Sequence, residues 1–286
     1  MLLEGGIGDA YGAGFEFASR IKIKRFNKVN RYMRHPLHRN IYRKYTDDTQ
    51  MAMAIAELLL EKQEWTKLDV ANKFVEAFRR DVRKGYARRF YQLLKDVKSG
   101  EELLMRIIPK SERNGAAMRA YPLGILSSGT EILEKARLQA SIAHNTSKGI
   151  LSAQAISLIS HYFIHRIAKK AELVDYLSDM QRHNWIGNWK CKVAIDGIQT
   201  VEAVLTVLIN ENTLKDVLKA SVDFGGDVDT VASIALAIAS TSDMFEKNLP
   251  KFLFDELENF TYGRDYLTNL DRRFKETYSI LAISKN

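Results

Sequence analysis

The chain has 286 residues, of which 46% are hydrophobic and 27% charged, the composition of an ordinary globular protein. A single cysteine, Cys191, excludes an intramolecular disulfide and any metal site built from several cysteines. The net charge of +8 suits an anionic substrate, but no nucleic-acid-binding motif accompanies it, so we expect no stable nucleic-acid partner. We find no signal peptide and no apolar run of about 20 residues, which favours a cytoplasmic protein without a membrane span.

The first predicted element is a helix rich in small residues that covers residues 5–17. The spacing of Gly8 and Gly12 is typical of a helix that packs closely against another helix. Glu16 lies at the end of this helix among apolar residues, where a carboxylate is either paired or functional. A dinucleotide-binding loop is not favoured, because no strand precedes the glycines.

A basic segment follows at residues 20–44, which contains Pro36 and no acidic residue. We predict a long loop with at most a helical turn, since the segment has no clean helical period. Loops of this length tend to be functional, and the positive field would attract an anionic group. We therefore hypothesise that Arg31, Arg34 and Arg43 help to select a charged part of a substrate.

Thr46, Asp47 and Asp48 open the next helix, which an alanine-rich apolar run predicts from Asp47 to Glu61. Asn114 and Gly115 then form a turn signal before a short alanine-rich helix, and a backbone turn at a helix N-terminus can bind phosphate. Further helices are predicted at residues 68–80 after a Thr66 cap, at 86–98 before a stop at Gly100, at 131–144, at 147–169 and at 197–210.

A second acidic cluster, at residues 223–230, places Asp223, Asp227, Asp229 and Thr230 directly before the charge-free run at 231–239. The run predicts a buried helix, and one acid would suffice to cap its N-terminus. Three crowded carboxylates repel one another unless a cation lies between them. For either acidic cluster alone, helix capping and a metal site both stay open, whereas the two together favour a pocket of oxygen ligands that suits Mg²⁺, Mn²⁺ or Ca²⁺.

The sequence contains no alternation long enough for a confident strand, no repeat and no obvious linker. We therefore predict a single all-α domain over residues 1–286, with the acidic clusters at helix N-termini on one face. The tail beyond residue 249 is mixed and aromatic, and it carries no specific signal.

Taken in order, the motifs of this chain resemble those of the ADP-ribosylglycohydrolase family. Each motif is weak alone, but their order along residues 5–240 is specific. The chain departs from the family pattern at Arg113, where a glycine is frequent, and at Ala143, where threonine or a similar residue is usual. The matching residues are Gly8-Asp9 with Gly12 and Glu16, Thr46-Asp47-Asp48-Thr49, Asn114-Gly115 with Met118-Arg119, His144, and Gly225-Gly226-Asp227-Val228-Asp229-Thr230.

The resemblance implies an all-α fold with two Mg²⁺ ions, replaceable by Mn²⁺, at the base of a cleft. It implies catalytic roles for Glu16, in acid–base chemistry, and for Asp48. The implied substrate-binding residues are Asn114 and Gly115, on a loop approaching the pyrophosphate, together with Met118, His144 and Gly226. The implied metal-binding residues are Thr46, Asp47, Asp48, Asp227, Asp229 and Thr230.

The implied function is Mg²⁺-dependent hydrolysis of the glycosidic bond between ADP-ribose and an acceptor. The acceptor could be a protein, a nucleic acid or a small molecule, and the residues do not choose among them. Three alternatives stay open: an inactive ADP-ribose-binding or crystallin-like relative, a Mg²⁺-dependent prenyl-diphosphate enzyme, and a structural helical domain. The prenyl enzyme is disfavoured because Met51 stands where a DDxxD motif needs its last acid.

Overall fold

The computed structural model describes residues 1–278, and its regular elements in that range are helical. In chain order the α-helices are α1 (Leu2–Gly12), α2 (Arg20–Phe26), α3 (Asp47–Glu61), α4 (Lys67–Arg80), α5 (Arg88–Asp96), α6 (Gly100–Arg106), α7 (Gly115–Met118), α8 (Gly129–Ala140), α9 (Ser147–Ile164), α10 (Leu173–Gln181), α11 (Gly197–Asn210), α12 (Leu214–Asp223), α13 (Val228–Ala239), α14 (Phe252–Asp255) and α15 (Arg264–Tyr278). Two short 3-10 helices cover Tyr121–Ile125 and Lys170–Glu172.

The centre of the fold is the contact between α1 and α13, both of which are buried almost along their whole length. Glycines in α1 let the two backbones approach closely. A Cβ at Gly8 would lie 2.3 Å from the carbonyl oxygen of Ala232, and one at Gly12 would lie 2.5 Å from the Cα of Asp229. Helices α3, α9, α11, α12 and α15 pack around this pair. The predicted close packing of the first helix is confirmed.

The all-α prediction is confirmed for the described residues, where β-type contacts are limited to isolated bridges such as Val193 with Gly226. The single-domain boundary at residue 286 stays a prediction, because residues 279–286 lie outside the described part of the chain. Two predicted helices, α3 and α11, have the bounds that the sequence indicated. Thr66 caps α4 as predicted, since its hydroxyl accepts a hydrogen bond from the Asp69 N–H.

Other predicted bounds were wrong. The first helix ends at Gly12, so Glu16 lies in the turn beyond it, where Phe17 adopts a left-handed φ of 50° that a helix cannot continue through. The helix predicted at 86–98 is shorter, and Gly100 opens α6 rather than ending α5. Helix α8 ends before His144, and α9 ends at Ile164, just before a left-handed Arg166.

The basic segment at 20–44 is partly helical, which the sequence underestimated. Its first seven residues form α2, which begins after Ser19, and the rest of the segment is irregular. Helices α10 and α12 and the helices of the tail, α14 and α15, were not predicted from the sequence. None of these corrections moves an acidic cluster, since both still lie at the N-termini of buried helices.

Candidate metal centre and cleft

The two acidic clusters meet because α3 and α13 both begin beside α1. Asp47 and Asp48 lie in the first turn of α3, Asp227 lies directly before α13, and Asp229 lies in its first turn. All four carboxylates are buried, each in a residue at most 7% exposed. One oxygen each from Glu16, Asp227 and Asp229 lies within 4.8 Å of the other two. These three acids come from two parts of the sequence, and Asp48, from a third part, lies close enough to Asp229 to raise the pKa of that carboxyl.

Helix capping does not account for these side chains. Neither Thr46 nor Asp227 makes a side-chain hydrogen bond to cap the helix that it precedes. The N-terminus of α3 is instead held by Asp9 of α1, whose carboxylate accepts hydrogen bonds from the backbone N–H groups of Thr46 and Thr49 at 2.8 and 3.1 Å. Both threonine hydroxyls also donate to Asp9, at 3.0 and 2.7 Å. The alternative of a purely structural helical domain, in which these acids only cap helices, therefore loses its main support.

Asp9 belongs to the Gly8-Asp9 motif, but no role at the site was predicted for it from the sequence. A fully buried acid in a glycine-rich helix was the available signal, because such a group must be paired or hydrogen-bonded. Its partners lie 37 and 40 residues further along the chain, and the sequence alone does not identify them. Asp9 orients the first turn of α3 and with it the carboxylates of Asp47 and Asp48.

The electrostatics of the cluster fit a bound cation. Burial, together with repulsion between neighbouring carboxylates, raises the pKa of Asp47, Asp48 and Asp229 well above the usual range. Burial likewise raises the pKa of Asp227 to about 7 and that of Asp9 to about 6. Ions of like charge in a dry site are strongly unfavourable unless a counter-charge compensates them.

Two buried oxygens supply a more direct test of whether a metal fits. Asp48 Oδ1 and Asp229 Oδ1 are inaccessible to solvent and have no hydrogen-bond partner among the described residues. Buried acceptors without a donor are rare and costly, whereas a hard cation satisfies such carboxylate oxygens directly. Thr230 lies between the clusters, where its hydroxyl stabilises the ionised forms of Asp48 and Asp227. The donor set is all oxygen, as Mg²⁺ or Mn²⁺ requires.

Glu16 lies at the edge of this cluster in a half-buried position. The N–H of Phe17 donates to the carbonyl of Gly226 at 2.8 Å, which ties the turn of Glu16 to the turn that precedes Asp227. Glu16 Oε2 also lies 2.5 Å from Nε2 of His35, on the irregular part of the basic segment. The family resemblance implied a place for Glu16 near the metal residues, but it gave no indication of the histidine partner.

The Asn114 side chain contacts the acids themselves. Its Nδ2 donates to Asp227 Oδ2 at 2.5 Å and to the Thr200 hydroxyl at 3.2 Å. This donor lowers the pKa of Asp227 and so opposes part of the effect of burial. Helix α7, which follows Asn114, has only four residues. We therefore assign Asn114 a contact to a metal-site carboxylate in this structure, while its predicted contact to the pyrophosphate stays a prediction.

Gly115 and Met118 begin and end α7, directly after Asn114, and His144 packs against Gly115, so that the ring and this short helix form one wall. The ring of His144 packs so closely on Gly115 that a Cβ there would lie 2.9 Å from its Cε1 atom. Met118 is buried at the end of α7. Burial, reinforced by the charges of Arg119 and Arg113, lowers the pKa of His144 to about 3, so the ring is neutral at physiological pH. Its Nδ1 has no protein partner among the described residues.

Arg119 supports this wall and was not predicted as a site residue. Its guanidinium is fully buried, donates to the Gly115 carbonyl at 2.6 Å and to Gln139 Oε1 at 2.6 Å, and packs over the Phe74 ring. Burial lowers its pKa to about 9. The sequence signals were an arginine in an alanine-rich stretch and its place in the Met118-Arg119 motif, and neither revealed which carbonyls the arginine would hold.

Gly226 fills a position that only glycine tolerates. Its φ is +94°, and a Cβ there would lie 2.0 Å from the Val193 carbonyl oxygen. Val193 brackets the turn, because its N–H donates to the Gly225 carbonyl and its carbonyl accepts from the Asp227 N–H, both at 2.9 Å. The structure thus gives Gly226 a role in presenting Asp227, and its predicted contact to substrate stays a prediction.

Comparison with known proteins agrees with this architecture. A family model described as ADP-ribosylglycohydrolase matches residues 1–280. The chain is 26% identical to the ADP-ribosylhydrolase ARH3 of Xenopus tropicalis, over 82% of this chain and 71% of that protein. It is 25% identical to the ADP-ribosyl-[dinitrogen reductase] glycohydrolase of Rhodospirillum rubrum, over 82% of each chain.

A solved structure gives the same fold. The chain superimposes on an ADP-ribosylglycohydrolase-related protein complex with a TM-score of 0.74 at 19% identity, covering 97% of this chain and 96% of that one. In the described part of the chain, no helix combines the length and apolar character needed to cross a membrane.

Proposed function

The chain belongs to the ADP-ribosylglycohydrolase family, and from that premise we propose that it hydrolyses the glycosidic bond between ADP-ribose and an acceptor with two Mg²⁺ ions. The observation that carries the proposal is the buried cluster of acids in which Asp48 Oδ1 and Asp229 Oδ1 have no partner among the described residues. An enzyme of this family with those oxygens available is equipped to bind a cation. Mn²⁺ has the same ligand preferences and is the natural substitute.

We assign the metal ligands to the six residues that the family resemblance indicated. When bound, the Mg²⁺ pair supplies positive charge that orients ribose hydroxyls and lowers the pKa of the attacking water. The protein holds the carboxylates ready for this charge through the Asp9 contacts to α3 and the Val193 contacts at Asp227. The proposed ligands are Thr46, Asp47, Asp48, Asp227, Asp229 and Thr230.

Glu16 is the proposed proton carrier. In the reaction the bond from the ribose C1″ to the acceptor atom breaks, a bond from C1″ to the water oxygen forms, and one proton of the water passes to the acceptor. A half-buried carboxylate at the edge of the acid cluster can take that proton and deliver it. Such general acid–base assistance typically contributes about 10²–10⁴-fold to the rate. Asp48 is proposed to assist by fixing the reacting groups beside it.

The remaining predicted residues are proposed to bind the ADP-ribose half. Gly115, Met118 and the neutral His144 form a wall without net charge, and the Asn114 loop and Gly226 complete the proposed substrate side. The basic segment is a weaker candidate for acceptor selection than the sequence suggested. Arg43 pairs with Glu256 at 2.9 Å, and Arg34 packs over the Tyr42 ring, so both are already engaged.

The test is release of free ADP-ribose from a panel of ADP-ribosylated protein, nucleic-acid and small-molecule acceptors, with Mg²⁺, with Mn²⁺ and with EDTA. We expect metal-dependent release by the wild type and its loss in Asp229→Asn. The matched control is Asp223→Asn, because Asp223 belongs to the same acidic stretch but pairs with Lys219 outside the cluster. Metal-dependent binding of ADP-ribose without release from any acceptor would contradict the hydrolase and favour a binding protein.

A further inference from the structure

A hydrogen bond joins the side chains of Glu16 and His35. The two side chains come from different segments, the turn after α1 and the irregular chain after α2, and Glu16 Oε2 lies 2.5 Å from His35 Nε2. His35 is buried, with 3% of its surface exposed. A buried imidazole needs a hydrogen-bonding partner, and the contact to the proposed proton carrier supplies one.

The other ring nitrogen of His35 fixes which tautomer is present. Nδ1 lies 3.0 Å from the backbone N–H of Leu37 and 3.1 Å from that of His38, and both of these groups are donors. A nitrogen that accepts from two N–H groups carries no hydrogen itself. The single hydrogen of the neutral ring is therefore on Nε2, where it points at Glu16. The backbone of residues 35–38 sets the tautomer, and the tautomer makes His35 a donor to the carboxylate.

Contacts to backbone atoms also hold the two segments together. Lys22 Nζ donates to the carbonyl of Gly14 at 2.8 Å and to that of Arg34 at 3.3 Å, which links the turn of Glu16 to the residue before His35. A Cβ at Gly14 would lie 2.6 Å from the Met33 carbonyl oxygen, so the two stretches are in direct contact. The His35 N–H donates to the Ile41 carbonyl at 3.1 Å. The backbone that carries the His35 ring is thus held in place by these contacts.

We propose that His35 is a positioning residue that holds the carboxylate of Glu16 toward the acid cluster through its Nε2–H. The assignment of a catalytic benefit rests on the proposed hydrolase function, whereas the tautomer and the contact do not. A glutamate side chain has several rotatable bonds, and a proton carrier must be held in a narrow geometry to act. Loss of a hydrogen-bond partner that orients a metal ligand typically costs about 10–100-fold in metal affinity or activity, and we expect the same range for the partner that orients Glu16.

Two substitutions at one position separate the two roles of the ring. Asparagine places its Oδ1 near the site of Nδ1, so His35→Asn keeps the acceptor for the two backbone N–H groups but removes the donor to Glu16. Glutamine places its amide nitrogen near the site of Nε2, so His35→Gln restores a donor to Glu16. We expect kcat to fall about 10–100-fold in His35→Asn with little change in KM, and His35→Gln to recover most of the loss.

The matched control is His38→Asn, because the His38 ring lies against that of His35, tilted by 43° with centroids 4.9 Å apart, but is exposed. In the described part of the chain the side-chain hydrogen bond to Glu16 comes from His35 and not from His38. In a Glu16→Gln background, His35→Asn should add no further loss of kcat. Equal kcat values for His35→Asn and His35→Gln, or a loss that merely follows a lowered melting temperature in both, would overturn the proposal.

A second experiment does not depend on enzymatic activity and tests the tautomer of His35 and its contact to Glu16. Nitrogen-15 NMR of the histidine rings, assigned with His35→Gln, should show Nε2 of His35 protonated and Nδ1 bare, and the Nε2–H signal should shift in Glu16→Gln. An unprotonated Nε2, or an Nε2–H chemical shift that does not change in Glu16→Gln, overturns the positioning role. If the wild type releases no ADP-ribose while the NMR result is as expected, the hydrolase proposal fails and the contact between His35 and Glu16 stands.

Discussion

Replacing Gly12 with alanine tests whether the fold and the metal site depend on the same contact. Gly12 is the last residue of α1, and a Cβ there would lie 2.5 Å from the Asp229 Cα and 2.9 Å from both the Asp229 nitrogen and the Val228 carbonyl oxygen. Ordinary contacts begin at 3.4 Å, so the shortfall at Cα is 3.4 − 2.5 = 0.9 Å. All three atoms are backbone, and no side-chain rotation can relieve the clash.

The backbones of α1 and α13 must therefore separate in Gly12→Ala, and Asp229 must move with its helix. Overpacking of a tight core usually costs about 1–3 kcal/mol, from which the better helix propensity of alanine recovers at most about 1 kcal/mol. We expect a net loss of about 1–2 kcal/mol, or several degrees in melting temperature for a chain of this size. Because Asp229 is a proposed metal ligand, Mn²⁺ affinity should also fall, by about tenfold or more.

The matched control is Gly129→Ala, a substitution in a helix with room for the methyl group. The nearest atom to a Cβ at Gly129 is Met180 Cε at 3.8 Å, the far end of a flexible side chain. That variant should be as stable as the wild type or more stable by about 0.5–1 kcal/mol. Urea unfolding in EDTA measures the stability, and calorimetry with Mn²⁺ measures the affinity. If Gly12→Ala matches Gly129→Ala in both assays, the reasoning from backbone contact is refuted.

Three further predictions concern stability and are checked by urea unfolding. Thr66→Ala should lose about 1 kcal/mol because it removes a helix cap, whereas the exposed Thr268→Ala should not. Glu258→Ala should lose about 3 kcal/mol because it leaves the guanidinium of Arg83 buried with less compensating charge; an unchanged midpoint would contradict this. Since the pKa of His144 falls from 6.5 to about 3 on folding, the unfolded chain alone takes up this proton as pH drops below 6.5. Because of His144, the free energy of unfolding should therefore fall by about 1.4 kcal/mol for each pH unit between pH 6 and 4, and His144→Gln should remove this slope. Parallel plots of unfolding free energy against pH for the wild type and the variant would contradict the prediction.

The parts of the fold that could be predicted are those with a strong local signal. Helices α3 and α11 are long apolar runs with few charges inside them, and their bounds matched. The meeting of the two acidic clusters could also be inferred, since crowded acids at the ends of two buried helices need a common counter-charge. The missed helix α12 did carry a usable signal, because Thr213 caps it by accepting from the Asp216 N–H.

The parts that could not be predicted depend on contacts between distant segments. Asp9 holds α3 through residues about 40 positions away, and His35 reaches Glu16 from a stretch without regular structure. Asn114 has the sequence context of a substrate loop, yet its amide contacts Asp227 across 113 positions. No local pattern encodes such pairs, because each exists only after the helices have packed. Composition and spacing therefore indicate which residues form the site more readily than how they contact one another.

The contact between α1 and α13 also has a consequence for biosynthesis. It joins Gly8 to Ala232, so the first helix emerges from the ribosome 224 residues before the helix against which it packs. At translation rates of roughly 5–20 residues per second, the interval is about 11–45 s. During that time the glycine-lined face of α1 lacks α13, its native packing partner, and Asp9 lies in a site that lacks the second acidic cluster. The proposed cation site needs residues of both clusters and therefore cannot form before α13 is made, which makes it one of the last features of the nascent protein to form.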